Sequence, residues 1–383
     1  MTKKILWLCS WYPNEMRPFD GDFIQRHAIA VSEYHDLDVM YVHKYEGDEP
    51  VAGYSKTVYP HLTEHIFTNH VADTGFLQTL KGLIQYFLIH TRFIKKHGMP
   101  DLIHVQIPMK AGLVALYYKW RYKIPYIVTE HYGFYNPLLE NHFRKRSFFY
   151  RYATRLVLKH ADILTTVSNS LGDDINNWVL KKEYTTIPNV VDTTIFHYTE
   201  PVAKEKFRFI HISNMIPLKN VQGIIEATEM LAAERRDFEM VFIGGVSEEF
   251  YKLASEKKML NKVIFFEGVI PYNAVSSRIK ASDAMIIFSD TESQSCVVLE
   301  SLCCGRPAIV TNVGGVKELI NESNGYKVKP RDNTDLAEKM NMMIGQYPFF
   351  DLKKISEDAI SKYAYSEVAK QFSECYGRVL NRQ

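Results

Sequence analysis

The chain has 383 residues, enough for two domains of ordinary size. Its net charge of +2 gives no electrostatic case for nucleic acid as the main partner, and its 46% hydrophobic content is that of a globular chain. Five cysteines (Cys9, Cys296, Cys303, Cys304, Cys375) show no C-x-x-C pair, so a reducing, cytoplasmic setting is expected and no metal cluster is visible. The apolar run after Lys3 and Lys4 is too short for a signal-peptide core. No run approaches the roughly 18 apolar residues of a membrane-spanning helix.

Lys4 to Cys9 reads as the first strand. The turn after it, SWYPNEMRPFDGD, has Gly21 as its only glycine and leads into a helix from about Phe23 to Tyr34. A dinucleotide-binding enzyme wants G-x-G-x-x-G in that turn, so its absence counts against nicotinamide or flavin chemistry. Leu37 to His43 is a second strand, and residues 44–75 read as loop or short strands. Phe76 to His97 is helical, Asp101 to Gln106 a strand, Ala111 to Tyr122 a helix and Tyr126 to Glu130 a strand. Such alternation predicts a mostly parallel sheet with helices on both faces. His131 follows the last of these strands, where it is either a ligand-facing group or a satisfied structural histidine. Residues 141–160, NHFRKRSFFYRYATRLVLKH, mix cations and aromatics at helical spacing. Such a helix either lies on an anionic membrane surface or packs its aromatics inward with its charges in water. Ala161 to Ser168 is another strand.

After a polar linker from Thr199 to Lys206 the alternation restarts. Phe207 to Ser213 is a strand, NMIPLKN a loop carrying Lys219, and Val221 to Glu234 a helix. Phe238 to Gly245 and Val263 to Gly268 are further strands. The focal stretch is AMIIFSDTESQSCVVLESLCCGRPAIV, residues 284–310. It reads as a strand to Ser289, a polar loop, a helix from about Ser295 stopped by Gly305 and Pro307, and a strand over Ala308 to Thr311. The orphan amides near Ser295 and Cys296 favour a phosphate. Glu300 lies on a helix that is apolar on most sides. A buried carboxylate needs a partner, either a structural cation or the paired hydroxyls of a polyol such as ribose. Glu292, in the loop, is either a second ligand or a solvated residue.

The run TESQSCVVLESLCCGRPAIVTNVGGVKELI resembles the donor-site signature of retaining GT-B glycosyltransferases of family 4. That family shows E-G-F-G, four residues, E-A-x-A-x-G-x-P, and then a Gly-Gly turn before an acidic helix. Glu292, Glu300, Gly305, Pro307, Gly314, Gly315 and Glu318 match, while Ser293, Gln294 and Ser295 replace G-F-G. The segment YTTIPNVVDTTIF resembles the family's inter-domain I-P-N-G-V-D-x-x-x-F at Pro188, Asn189, Asp192 and Phe196. The loop SNMIPLKN resembles G-R-x-x-x-x-K-G, with Lys219 on the lysine, Ser213 on the glycine and Asn214 on the arginine. Tyr365 to Leu380 resembles the family's last helix, which returns to the first domain.

The resemblance implies two Rossmann-like α/β domains facing a cleft. They are residues 1–187, joined by a helix over 365–383, and residues 188–364. It implies that Glu300 holds the nucleotide ribose and Glu292 the donor-sugar hydroxyls. Ser213, Asn214 and Lys219 would serve the diphosphate, with the backbone of Gln294, Ser295, Cys296 and Val297 serving sugar and diphosphate. The loop at Val269 would seat the base, with Tyr272 either stacking on it or packing. Gly21, Asp22 and His131 would lie by the donor sugar and the acceptor. Asparagine lacks the charge and five-donor fork of arginine, so Asn214 shifts the neutralisation of the diphosphate onto Lys219 and the helix dipole.

The reaction implied is transfer of a sugar from a UDP- or GDP-linked donor to a saccharide or lipid-linked saccharide acceptor, with retention. No metal is expected, and a bacterial cell-surface polysaccharide or glycolipid role is inferred from the family. Two other readings share these residues: a sugar-nucleotide epimerase, and a non-catalytic nucleotide-sugar-binding subunit. The two glutamates do not read as a glycosidase pair.

Overall fold

The computed structural model describes residues 3–45, 53–70 and 76–381, which divide into two compact units, Met1–Val190 with Tyr365–Gln383, and Val191–Ala364. In the first unit the strands are β1 (Ile5–Cys9), β2 (Leu37–Tyr45), β3 (Gly53–Val58), β4 (Leu62–His70), β5 (Leu102–Gln106), β6 (Tyr126–Glu130), β7 (Ile163–Thr166) and β8 (Thr185–Thr186). Its helices before the linker are α1 (Asp22–Ser32), α2 (Phe76–His97), α3 (Ala111–Tyr122), α4 (Phe148–His160) and α5 (Asn169–Trp178). The sheet order is β3-β4-β2-β1-β5-β6-β7-β8, parallel throughout except for the antiparallel β3–β4 pair. Central strands such as β1 (ILWLC) are buried along their whole length, as strands covered on both faces must be.

The second unit holds β9 (Phe207–Ile212), β10 (Phe238–Ile243), β11 (Ile264–Phe266), β12 (Ala284–Ile287), β13 (Ala308–Thr311) and β14 (Gly325–Val328). The helices are α6 (Val221–Glu234), α7 (Glu248–Glu256), α8 (Tyr272–Lys280), α9 (Cys296–Cys303), α10 (Asn333–Gln346) and α11 (Leu352–Tyr363). Its sheet is parallel in every pair, in the order β11-β10-β9-β12-β13-β14. The helix starts follow local chemistry: the side chains of Asn220, Asp332 and Asp351 accept backbone N–H bonds at the heads of α6, α10 and α11.

Two expectations change. Residues 44–75 contain the nine-residue strand β4, parallel to β2, as well as β3; residues 46–52 and 71–75 lie outside the described residues. Polar positions hid this strand, because each of its two faces carries a buried polar residue, Glu64 on one and His65 on the other. Glu64 accepts from the hydroxyl of Tyr12 at 2.6 Å and from Gln25 Nε2 at 2.8 Å. Residues 141–160 are not one helix. A short 3-10 turn over Phe143–Lys145 ends at an extended Arg146, and Ser147 starts α4 by accepting from Tyr150 N at 3.3 Å.

The last helix, α12 (Tyr365–Leu380), packs on α1 and completes the first unit. It also closes a buried hydrogen-bond chain. Trp7 Nε1 donates to the Tyr376 hydroxyl at 3.1 Å, and that hydroxyl donates to His104 Nδ1 at 2.8 Å. His104 Nε2–H then donates to Thr129 Oγ1 at 2.6 Å, which meets Thr165 Oγ1 at 2.6 Å. The direction of this chain needs a neutral His104, and burial lowers its pKa to about 3.

Removing the shared hydroxyl leaves two buried groups without their partner. Tyr376→Phe should therefore destabilise the first unit by about 1–3 kcal/mol. All four tryptophans (Trp7, Trp11, Trp120, Trp178) lie in that unit, so tryptophan fluorescence during urea unfolding reads it selectively. An unchanged midpoint would mean that the chain of bonds contributes nothing.

Candidate donor site and the first-unit loops

In a parallel sheet, ligands gather at the carboxyl edge where the strand order reverses. In the second sheet that point lies between β9 and β12, since the chain proceeds from β9 outward to β10 and later from β12 to β13. The loop after β9 carries Ser213, Asn214 and Lys219, and the loop after β12 carries Glu292. Adjacency of two parallel strands therefore brings Lys219 and Glu292 together from 73 residues apart, with Nζ and Oε1 separated by 2.6 Å. The side chains are 23% and 10% exposed, respectively. Ser289 donates to the same carboxylate oxygen at 2.9 Å.

The backbone holds these two loops in place. Asp290 N donates to Leu218 O at 2.8 Å, stapling one loop to the other. Gly315 N donates to Glu292 O at 2.9 Å. Gly314 has φ +47, and a Cβ there would sit 2.0 Å from Glu292 O. The Gly-Gly turn is therefore the floor on which the Glu292 peptide rests, and no side chain fits at Gly314. Below the pair, His211 bonds Ile286 O at 2.8 Å through Nδ1 and Ser213 Oγ at 2.8 Å through Nε2. Burial lowers the His211 pKa to about 4, so it stays neutral beneath the ion pair.

Glu300 is 2% exposed, within α9, and the Tyr272 hydroxyl donates to its Oε1 at 2.9 Å. The Tyr272 ring packs on buried Phe196 at 5.3 Å. The residues at and before the head of α9 are arrayed as Gln294, buried Ser295, and partly exposed Cys296 and Val297; the Ser295 hydroxyl makes no capping bond. Asn214 is exposed. Val269 is 66% exposed beside Gly268, whose φ is +69.

In the first unit Gly21, with φ +69, precedes α1, and a Cβ on it would press on the Trp11–Tyr12 backbone at 2.9–3.1 Å. Asp22 pairs with Arg26 Nη1 at 2.8 Å. His131 is buried, its Nε2 lying 2.8 Å from Gln106 Oε1 and its ring 5.0 Å from that of Phe23. Burial and the neighbouring imidazoles of His27 and His104 push its pKa well down, partly offset by the bond to the Asn189 side chain, so His131 is neutral.

Four features escaped the sequence reading. Tyr272 is tied to Glu300, and Ser289 reaches Glu292 from three residues earlier, an S-x-x-E spacing that a sequence can display. His211 alternates with Ser213 on one face of its strand. Glu130, adjacent to His131, is a fully buried carboxyl that accepts from His131 N at 2.9 Å, Tyr132 N at 3.0 Å and the Tyr135 hydroxyl at 2.6 Å. It organises the turn that starts at His131.

Two family models match, glycosyl transferases group 1 over residues 193–366 and glycosyltransferase family 4 over residues 27–195. The chain is 23% identical over 398 residues to the putative teichuronic acid biosynthesis glycosyltransferase TuaC of Bacillus subtilis, covering 96% of this chain and 94% of that one. It is 24% identical over 240 residues to the N-acetyl-alpha-D-glucosaminyl L-malate synthase of Bacillus anthracis. That match covers 59% of this chain and spans 62% of that relative's length. Among solved structures, sucrose-phosphate synthase from Thermosynechococcus elongatus superposes with a TM-score of 0.77 at 16% identity, covering 100% of both chains. Anabaena HepE in complex with UDP superposes with a TM-score of 0.73 at 18% identity, covering 98% of this chain and 100% of that one.

Burial pushes the Glu130 pKa from 4.5 up to about 7, against the opposing pull of its three donors. The folded state thus binds this proton more tightly than the unfolded state. Its stabilising contribution is complete below the ordinary carboxyl range and is lost as pH rises towards 7. Over that window the wild type should lose about 3 kcal/mol relative to Glu130→Gln, which keeps an acceptor for the two amides. Urea unfolding at a series of pH values measures this; parallel stability profiles would show that Glu130 titrates normally.

Proposed function

The chain belongs to the group 1, family 4 glycosyltransferases of GT-B fold. From that premise we propose that it moves a sugar from a nucleotide-diphosphate donor to an acceptor hydroxyl with retention of anomeric configuration. UDP is the favoured base and diphosphate, by analogy with the UDP complex of Anabaena HepE. The acceptor is a saccharide or lipid-linked saccharide of a cell-surface polysaccharide or glycolipid; the polysaccharide part of this reading is supported by the teichuronic acid biosynthesis assignment of TuaC.

The observation that carries the proposal is the Lys219–Glu292 pair set on the Gly314–Gly315 floor beside buried Glu300 and the head of α9. Glu300 takes the ribose hydroxyls, with Tyr272 fixing its carboxylate. Glu292 takes sugar hydroxyls. The diphosphate leaving group develops charge as the glycosidic bond breaks, and Lys219 with the first-turn amides of α9 stabilises it. A preformed ion pair keeps the ammonium in place before the donor arrives, which reduces reorganisation in the transition state. Ser213, Asn214 and the Val269 loop complete the donor pocket. Gly21 and Asp22 line the acceptor side. His131, neutral and fixed by Gln106, is the first unit's hydrogen-bonding group assigned to the acceptor. Same-face attack by the acceptor hydroxyl gives retention without a protein nucleophile.

Lys219→Ala and Glu292→Gln should each lower kcat for nucleotide release from the cognate donor by about 100-fold or more, with a smaller change in nucleotide affinity. Screening UDP- and GDP-sugars for nucleotide release identifies the donor first. Variants that turn over at the wild-type rate would make the ion pair purely structural.

A further inference from the structure

We propose that the head of α4 docks this chain on an anionic lipid bilayer. The proposal rests on the lipid-borne acceptor only for its purpose; the docking itself follows from the surface.

Three aromatic side chains stand in solvent there: Phe149 is 81% exposed, Phe148 66% and Tyr152 57%. Phe148 stacks on Tyr152 at 6.2 Å and meets Phe149 edge-on at 5.9 Å, so the three form one outward cluster. Inward packing, the ordinary use of aromatics on an amphipathic helix, falls instead to Thr154, Val157 and Leu158. Exposed apolar clusters of this kind mark interaction sites.

Charge selects the occupant. Residues 141–160 hold six cations (Arg144, Lys145, Arg146, Arg151, Arg155, Lys159) and no Asp or Glu. The chain as a whole carries only +2, so all other residues together sum to −4. Arg144, Lys145 and Arg146 are exposed immediately before the aromatic cluster. Aromatics that enter the headgroup boundary, ringed by cations that meet anionic headgroups, are the two parts of an interfacial anchor. Among the described residues no helix is long and apolar enough to cross a membrane, so the contact is with the surface.

The position suits the chemistry. The segment after β6 begins at His131 and returns to the head of α4, so the cluster stands at the same sheet edge as His131. Phe143 N bonds Phe134 O at 2.8 Å and His142 bonds Tyr135 O at 2.7 Å, folding this segment onto itself. Phe134 stacks on Tyr132 at 5.7 Å and packs on Tyr150 of α4 at 6.1 Å. One packed aromatic row therefore runs from the residue after His131 into the docking helix.

The test is co-sedimentation of the full chain with phosphatidylglycerol-containing vesicles, and with phosphatidylcholine alone, at low and high salt. Binding to the anionic vesicles that weakens in salt is expected. Phe148→Ser with Phe149→Ser should lower it about tenfold or more, as should Lys145→Glu with Arg146→Glu. Tryptophan fluorescence and nucleotide binding, both expected unchanged, show that each variant is folded and that the donor site is intact. Equal binding by the variants, or no binding at low salt, overturns the proposal. Loss of self-association in sedimentation velocity, without vesicle binding, overturns it in favour of a contact between copies of this chain. Failure to bind nucleotide, by contrast, bears on the donor reading and leaves the vesicle result to stand by itself.

Discussion

A carboxylate that is nine-tenths buried must be neutralised, and Glu292 meets this constraint with an ammonium from a different loop. The demand shapes its surroundings. Lys219 can arrive only because β9 and β12 lie side by side and parallel, so that their following loops emerge at one edge. The loops keep register through the Asp290–Leu218 amide bond. The Glu292 peptide in turn needs Gly314, since any side chain at φ +47 would collide with it. Ion pair, strand order and glycine turn are thus one construction. Removing the lysine would leave an uncompensated charge, whereas exchanging the whole assembly for apolar residues would not.

The two units use buried polarity differently. The second keeps its charged pair at the sheet edge, over an apolar core filled by residues such as Phe209, Phe242 and Phe288. The first threads hydrogen bonds through its interior, from Trp7 to Thr165, with Gln106 and His131 alongside. Its histidines His27, His104 and His131 are held neutral by burial. Neutral imidazoles can serve as fixed donors and acceptors without adding cationic charge to a crowded interior. Helix α12, far along the chain, supplies Tyr376 to this network, so the first unit is complete only when the last helix is in place.

Much of this was legible in the residues. Runs such as AMII and AIVT, punctuated by Gly305 and Pro307, mark strands and a helix stop whose bounds the structure places within two residues. Glu292, Glu300 and the glycine pair stood out because carboxylates and glycines are conspicuous at those spacings. Other features depend on partners distant in sequence. The strand β4 buries Glu64 on one face and His65 on the other, which defeats a reading by hydrophobicity, and only Tyr12 and Gln25 explain why Glu64 is tolerated. Arg306, in the G-R-P turn, is of a residue type that is seldom fully buried. Yet it is 1% exposed, its guanidinium donating to the carbonyls of Thr199, Lys280, Ser282 and Cys304. Tyr272 offers a ring that reads as either stacking on a base or packing; its ring packs on Phe196 and its hydroxyl is engaged with Glu300. The break at Arg146–Ser147 turns on one capping hydroxyl, which helical periodicity alone does not reveal.

The central claim is that the second unit is a nucleotide-diphosphate site whose ribose is held by Glu300. The most direct measurement is a thermal-shift titration of the chain and of Glu300→Ala with UDP, with GDP as the competing ligand. A nucleotide at about 100 times its dissociation constant adds about 2.7 kcal/mol to a folded state that alone binds it. The account predicts a shift with UDP that vanishes in a folded Glu300→Ala protein. A shift of equal size in that variant would contradict the ribose assignment, and no shift with either nucleotide would contradict the donor site itself.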